Sequence, residues 1–169
     1  MQLGFIGTGE ITSSIVTGLC SSGGSPHSIR LSPRNRAVAE ELANRFNGIS
    51  IASCNQEVLD HCDTIVVAVR PAIARSVLSE LRFRPDHLVI SLVSALTVRS
   101  VSDLAAPVVR ITRAVPLPST AARLSPTAIY THPVRPRVTS SLRSELCLLL
   151  KVRKSSTQCV QRLRLLRPI

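Results

Sequence analysis

Leu3-Gly4-Phe5-Ile6-Gly7-Thr8-Gly9-Glu10-Ile11-Thr12 stands at the head of the chain, an apolar run that breaks into glycines and then turns helical. Gln2–Ile6 has the length and composition of a buried strand. Ile11, Ile15, Val16 and Leu19 recur at the spacing of one helical face until Ser22–Gly24 interrupts them. Between strand and helix, Gly7 permits a tight turn, and Gly9 lets the backbone come close to a ligand with no Cβ in the way. A helix that starts there offers unpaired N–H groups and the positive end of its dipole to phosphate oxygens. Ile6, Gly7, Thr8, Gly9, Glu10 and Ile11 are therefore candidate cofactor-binding residues. Thr12 takes the place of the third glycine that such loops usually carry.

The same alternation continues outward. Ser28–Leu31 is expected as a second strand, followed by a helix that starts after Ser32 and Pro33 and runs to Phe46. Ile49–Ala52 is expected as a third strand, and Asn55–His61 as a short helix capped by Asn55. Thr64–Val69 is the most β-branched strand. Pro71 opens a helix whose apolar face is Ile73, Val77, Leu78 and Leu81. Leu88–Val93, a helix at Thr97–Leu104 and a strand at Pro107–Ile111 complete the pattern. Strands separated by helices at these distances require right-handed crossovers. The expected fold is α/β, a doubly wound parallel sheet of the Rossmann type, which binds dinucleotides beyond the carboxyl ends of its strands.

The end of the second strand separates the two nicotinamide cofactors. An NAD site usually carries an acid about 20 residues beyond the glycines to hold the ribose hydroxyls. Here the text is Leu31-Ser32-Pro33-Arg34-Asn35-Arg36, without an acid. Ser32 can donate a hydrogen bond and Arg34 can pair with a 2′-phosphate, so the expected cofactor is NADP. The plainer alternative makes Arg34 and Arg36 solvated residues at a helix start.

Composition narrows the remaining classes. Apolar residues make up 44% and aromatic residues only 2%, so the core must be aliphatic, as buried parallel strands require. No run reaches the roughly 18 apolar residues of a membrane span, and no basic region precedes an apolar one at the start. A cytoplasmic protein with no membrane partner is expected. Cys20, Cys54, Cys62, Cys147 and Cys159 form no paired spacing, and buried thiols are expected rather than a metal site. The net charge of +11 is uneven: residues 1–131 hold 12 Arg against 9 acids, whereas residues 132–169 hold 9 Lys or Arg against Glu145 alone.

Several of these stretches together resemble the pyrroline-5-carboxylate reductases, which reduce a cyclic imine to proline. Leu3 to Gly9 is similar to that family's opening. Asn55 matches an asparagine that touches the cofactor there. Ala68-Val69-Arg70-Pro71 resembles the end of the fourth strand, where Lys is usual and Arg stands here. Val89-Ile90-Ser91-Leu92 and Pro107-Val108-Val109-Arg110 resemble the fifth and sixth strands. The resemblance adds Asn55, Ala68, Val69, Arg70 and Pro71 to the cofactor-binding residues and implies an imine substrate. It covers residues 1–131. The family's Met-Pro-Asn after the sixth strand is met only by Val115-Pro116-Leu117, its glycine after the fifth strand by Ala95, and its arginine by either Arg110 or Arg113.

The resemblance also implies a second, all-helical domain that forms the family's dimer and completes the imine site, for which this chain is too short. Residues 1–131 are thus expected as the dinucleotide-binding domain and 132–169 as a basic tail, frameshifted or disordered, leaving the chain weakly active or inactive. Leu142, Leu146, Leu149 and Leu150 have the spacing expected of one helical face. It lacks the aromatic residues that stack on bases, and no nucleic-acid partner is expected. Tyr130 and His132 are the titratable groups near the end of the domain, and no catalytic residue is assigned. Two other readings stay open: a catalytically silent NADP-binding or interaction module, and an NADP-linked reductase that exchanges hydride with a deazaflavin.

Overall fold

The computed structural model describes residues 2–21 and 28–115 and the backbone of 128–131. The expectations for Ser22–Gly24, Pro116, Leu117, His132 and the basic tail lie outside those residues. In chain order the elements are β1 (Gln2–Ile6), α1 (Glu10–Cys20), β2 (Ser28–Leu31), α2 (Arg36–Arg45), β3 (Ile49–Ile51) and α3 (Asn55–His61). They continue with β4 (Thr64–Val67), α4 (Pro71–Ser79), β5 (Leu88–Ser91), α5 (Val98–Leu104), β6 (Arg110–Val115) and β7 (Ala128–Thr131).

The strands form one sheet in the order β3-β2-β1-β4-β5-β6-β7. All neighbours are parallel except β7, which runs antiparallel to β6. The chain first winds from β1 to β3 in one direction. It then returns to the other side of β1 with β4, leaving a crevice where β1 and β4 lie side by side.

Side-chain alternation along the strands builds a core on each face. Leu3 and Phe5 of β1, Val66 of β4, and Leu88 and Ile90 of β5 pack with Ile15, Val16 and Leu42 of α1 and α2. Ile6, Ile65, Val67 and Val89 point the other way, onto Val58 and Leu59 of α3, Leu78 of α4 and Val101 of α5. Each fully buried Leu or Ile contributes about 1.5–3 kcal/mol of transfer free energy. Gly4 lies in β1 beneath α3. A Cβ there would stand 2.5 Å from Cγ1 of Val58, so glycine is what lets this helix lie close to the strand.

Several boundaries differ from the expectation. The sixth strand is Arg110–Val115, not Pro107–Ile111. Pro107 has no N–H for a central ladder, and Val108 N–H turns back to Ala105 O at 3.0 Å, so Pro107–Val109 form the turn after α5. β4 stops at Val67; Ala68, whose N–H still donates to Ile6 O at 2.8 Å, and Val69 line the crevice. The N-cap of α3 is Cys54, which makes Asn55 the first helical residue and not the cap. On α4 the fully buried residues are Ala74 and Leu78, while Leu81 falls beyond the helix. β7 was not expected at all. Cys20 and Cys62 are buried, as thiols usually are, and burial pushes the Cys62 thiol up to about 11. Cys54 is exposed.

Candidate cofactor site

The crevice between β1 and β4 widens at the carboxyl ends of the strands into a cleft of about 280 Å³. Its lining comes from Gly7, Thr8 and Gly9 after β1, Arg34 and Asn35 after β2, Ala68, Val69 and Arg70 after β4, and Ile73 of α4. That volume is small beside ordinary small-molecule sites of about 300–1,000 Å³, and suits one segment of an extended ligand.

The glycine loop is shaped as its residues demand. Gly7 has φ +98°, a left-handed conformation that side chains resist, and a Cβ there would stand 2.6 Å from Ala68 O. Gly9 is the N-cap of α1, and a Cβ on it would meet no atom within 4 Å, so its open side faces free space at the helix start. Ser13 N–H closes the first turn on Gly9 O at 2.9 Å, which leaves the N–H groups of Glu10, Ile11 and Thr12 without intrahelical partners. Thr12, the departure from the three-glycine pattern, is fully buried and donates its hydroxyl proton to Gly7 O at 2.6 Å. The extra side chain is thereby turned into a brace of the loop.

Ser32 is fully buried at the end of β2. Its Oγ accepts the Gly7 N–H at 2.8 Å and lies 3.2 Å from Oγ1 of Thr8, which donates to Ser32 O at 2.9 Å. Arg34 and Asn35 stand exposed just beyond it, and Arg36 is held in an i,i+4 pair with Glu40 at 2.7 Å. Arg34 makes no ion pair among the described residues, and no carboxylate lines the cleft.

Of the residues singled out in the sequence, the fold brings Gly7, Thr8, Gly9, Arg34, Ala68, Val69 and Arg70 together. Ile6, Glu10, Ile11, Asn55 and Pro71 lie in the flanking elements, and Ser32 just past the end of β2, without lining the cleft. Asn35 and Ile73 line it and were missed. Asn35 had a signal, since it adjoins Arg34 on the same loop; Ile73 was counted with the core face of α4. The two arginines of β6 separate cleanly. Arg113 pairs in register with Ser91 and donates to Ser94 O at 2.5 Å, at the carboxyl end that carries the cleft. Arg110 bonds to Asp86 O at the opposite end.

Residues 2–95 match the family model described as NADP oxidoreductase coenzyme F420-dependent. The chain belongs to that family. Among curated proteins, pyrroline-5-carboxylate reductase of Corynebacterium melassecola is 29% identical over 114 residues, covering 63% of this chain and 42% of the relative. The chain thus spans less than half the length of that relative. Two solved structures share the fold. Pyrroline-5-carboxylate reductase from Coxiella burnetii superposes with a TM-score of 0.74 at 24% identity, covering 88% of this chain and 56% of the other. Pyrroline carboxylate reductase of Plasmodium falciparum, solved with NADP bound, gives 0.70 at 19%, covering 88% and 55%. The membership makes the fold that of an NADP-dependent oxidoreductase, in agreement with the cofactor expected from the second strand.

Proposed function

We propose that this chain binds NADP(H) in the cleft at the β1–β4 crevice, as the cofactor half of a reductase acting on a small imine. One observation carries the reading. The lining joins a glycine loop at a helix start to Arg34 and Arg70, with no carboxylate among the described residues to hold a free ribose hydroxyl or repel a 2′-phosphate. In this reading the unpaired N–H groups of Glu10, Ile11 and Thr12 face the pyrophosphate, and Arg34 with Asn35 takes the 2′-phosphate. Ala68, Val69 and Arg70 wall the middle of the cofactor. Ile6, Asn55 and Pro71 act through the elements they begin or end.

When bound, the cofactor supplies a hydride. The chain's share is to hold the dinucleotide extended across the carboxyl edge of the sheet, so that its reactive end is fixed in position. Pyrroline-5-carboxylate is the substrate suggested by the curated relatives, with proline as the product. The NADP-binding unit is assigned to residues 1–131, apart from the basic stretch of sequence at 132–169.

The test is titration of the purified chain with NADPH and NADH, followed by an assay of NADPH oxidation with pyrroline-5-carboxylate. Tighter binding of NADPH supports the cofactor reading, and equal affinities overturn it. Turnover near an ordinary enzyme rate of about 10 per second would show that the described half needs no further domain. The matched family model favours a second hydride partner, a deazaflavin. Replacing the imine by coenzyme F420 in the same assay separates the two, and NADPH binding without turnover on either leaves a binding module.

A further inference from the structure

Ser32 would ordinarily be taken for a ligand of the 2′-phosphate, since it ends the second strand beside Arg34. Counting its protons gives a different role. A serine hydroxyl has one proton to donate and two lone pairs to accept with. The Thr8 hydroxyl spends its own proton on Ser32 O at 2.9 Å. The 3.2 Å contact between the two side-chain oxygens must then use the proton of Ser32, donated to Oγ1 of Thr8. Oγ of Ser32 accepts the Gly7 N–H at 2.8 Å. Its only proton is consumed inside the protein, its surface is fully buried, and it does not line the cleft. A phosphate oxygen needs a donor, and Ser32 has none to offer. Arg34 and Asn35, exposed on the cleft wall, make no side-chain hydrogen bond or ion pair among the described residues, so their donors can turn toward it.

We propose that Ser32 is a positioning residue: with Thr8 it forms a hydroxyl clamp that fastens the glycine loop to the end of β2. Preference for the 2′-phosphate rests instead on Arg34 and Asn35. This inference rests on the reading of the cleft as the NADP site. The clamp joins the loop that faces the pyrophosphate to the strand end that faces the adenosine ribose. It fixes the distance between two parts of the cofactor that NADP and NAD share, so its loss weakens both dinucleotides alike. It also takes the Gly7 N–H out of phosphate binding, leaving the anion to the first turn of α1.

Calorimetric titration of the full chain with NADPH and with NADH tests the clamp, at a temperature where circular dichroism shows each variant folded. Ser32→Ala is expected to lose about five-fold or more in affinity for both, a typical hydrogen-bond effect, with the NADPH-to-NADH ratio unchanged. Thr8→Val probes the clamp from its other side and is expected to do the same, while Thr8→Ser, which keeps the hydroxyl, binds several-fold tighter than Thr8→Val. The double variant Ser32→Ala with Thr8→Val is expected to lose less than the product of the two single losses, because they break one unit. Arg34→Ala is expected to lower the NADPH-to-NADH ratio. A loss confined to NADPH in Ser32→Ala would mean direct phosphate contact and overturn the clamp alone. Unchanged binding of both cofactors in Ser32→Ala would make the contact merely structural and overturn it too. A wild-type chain that binds neither dinucleotide overturns the reading of the cleft and the clamp with it.

Discussion

Gly7 and Gly9 sit two positions apart in one loop, yet they are glycine for different reasons, and substitutions should separate them. At Gly7 a side chain is refused by the protein itself: φ is +98° and Ala68 O lies 2.6 Å from the position of a Cβ. Gly7→Ala is expected to cost about 1–3 kcal/mol from backbone strain alone, read as a lower midpoint in urea unfolding. At Gly9 the protein has no objection, since φ is −106° and the Cβ position is open. Gly9→Val is expected to keep the wild-type midpoint and lose both NADPH and NADH, because the branched side chain fills space reserved for the pyrophosphate. Normal cofactor binding by Gly9→Val would move the phosphate site elsewhere. Arg34→Ala is expected to weaken NADPH by roughly 1–3 kcal/mol and to leave NADH nearly unchanged.

At the level of elements, α3 shows how a short helix is held from outside. A helix of seven residues is too short to hold itself together, and its last carbonyls have no helical partners. The segment before β5 supplies them. Arg84 donates from Nη1 to Leu59 O at 2.8 Å and to Asp60 O at 3.2 Å. His87, fully buried, lies with Nε2 3.1 Å from Leu59 O, while its Nδ1 accepts the Arg84 N–H at 3.1 Å. These bonds fix the neutral tautomer with its proton on Nε2. Protonating Nδ1 would set two donors face to face. Burial first, and then the Arg84 charge, hold the His87 pKa below its usual 6.5, against the pull of the Leu59 carbonyl, Asp86 and Asp63. The unfolded chain therefore takes up the proton first. Stability is complete above about 6.5 and is lost as pH falls from there through the depressed folded value. Unfolding by urea at pH 7.5 and 5.0 should show the loss in the wild type and a smaller one in His87→Phe, which packs on Phe83 but cannot titrate. Equal pH dependence in the two would remove His87 from the account. The carboxyls of Glu57 and Asp86 are also depressed, and their contributions are lost as pH falls below their ordinary values of 4.5 and 3.8, under the lower pH of this comparison.

For the whole molecule, the sheet places every lining segment at one edge, so ligand binding and folding are coupled. A dinucleotide that bridges the ends of β1, β2 and β4 ties together three strands distant in sequence. NADPH at 100 times its Kd is expected to stabilise the chain by about 2.7 kcal/mol, a rise in Tm of roughly 5–10 °C. NADH at the same concentration should raise it less. Thermal denaturation with each cofactor checks this, and a larger rise with NADH would contradict the assignment at the end of β2. Among the described residues no helix is long and apolar enough to cross a membrane.

The alternating strands and helices, the parallel sheet and the glycine loop were legible because each rests on local chemistry. β-Branched runs such as Thr64–Val67, the glycines after Ile6 and Pro71 at a helix start carry their meaning within a few residues. The missing acid near Arg34 was legible for the same reason, since its position is counted along the chain from the loop. What lay beyond the sequence depends on partners far away in it. Ser32 read as a free donor until Gly7 and Thr8, some 25 positions off, took up its hydroxyl. Gly4 had no stated reason until α3 came down on it, and Arg110 and Arg113 were equivalent until the register on β5 put them at opposite ends. Pattern sets which elements form and which face they bury. Packing and register, settled only when distant segments meet, decide which polar atoms remain free to bind a ligand.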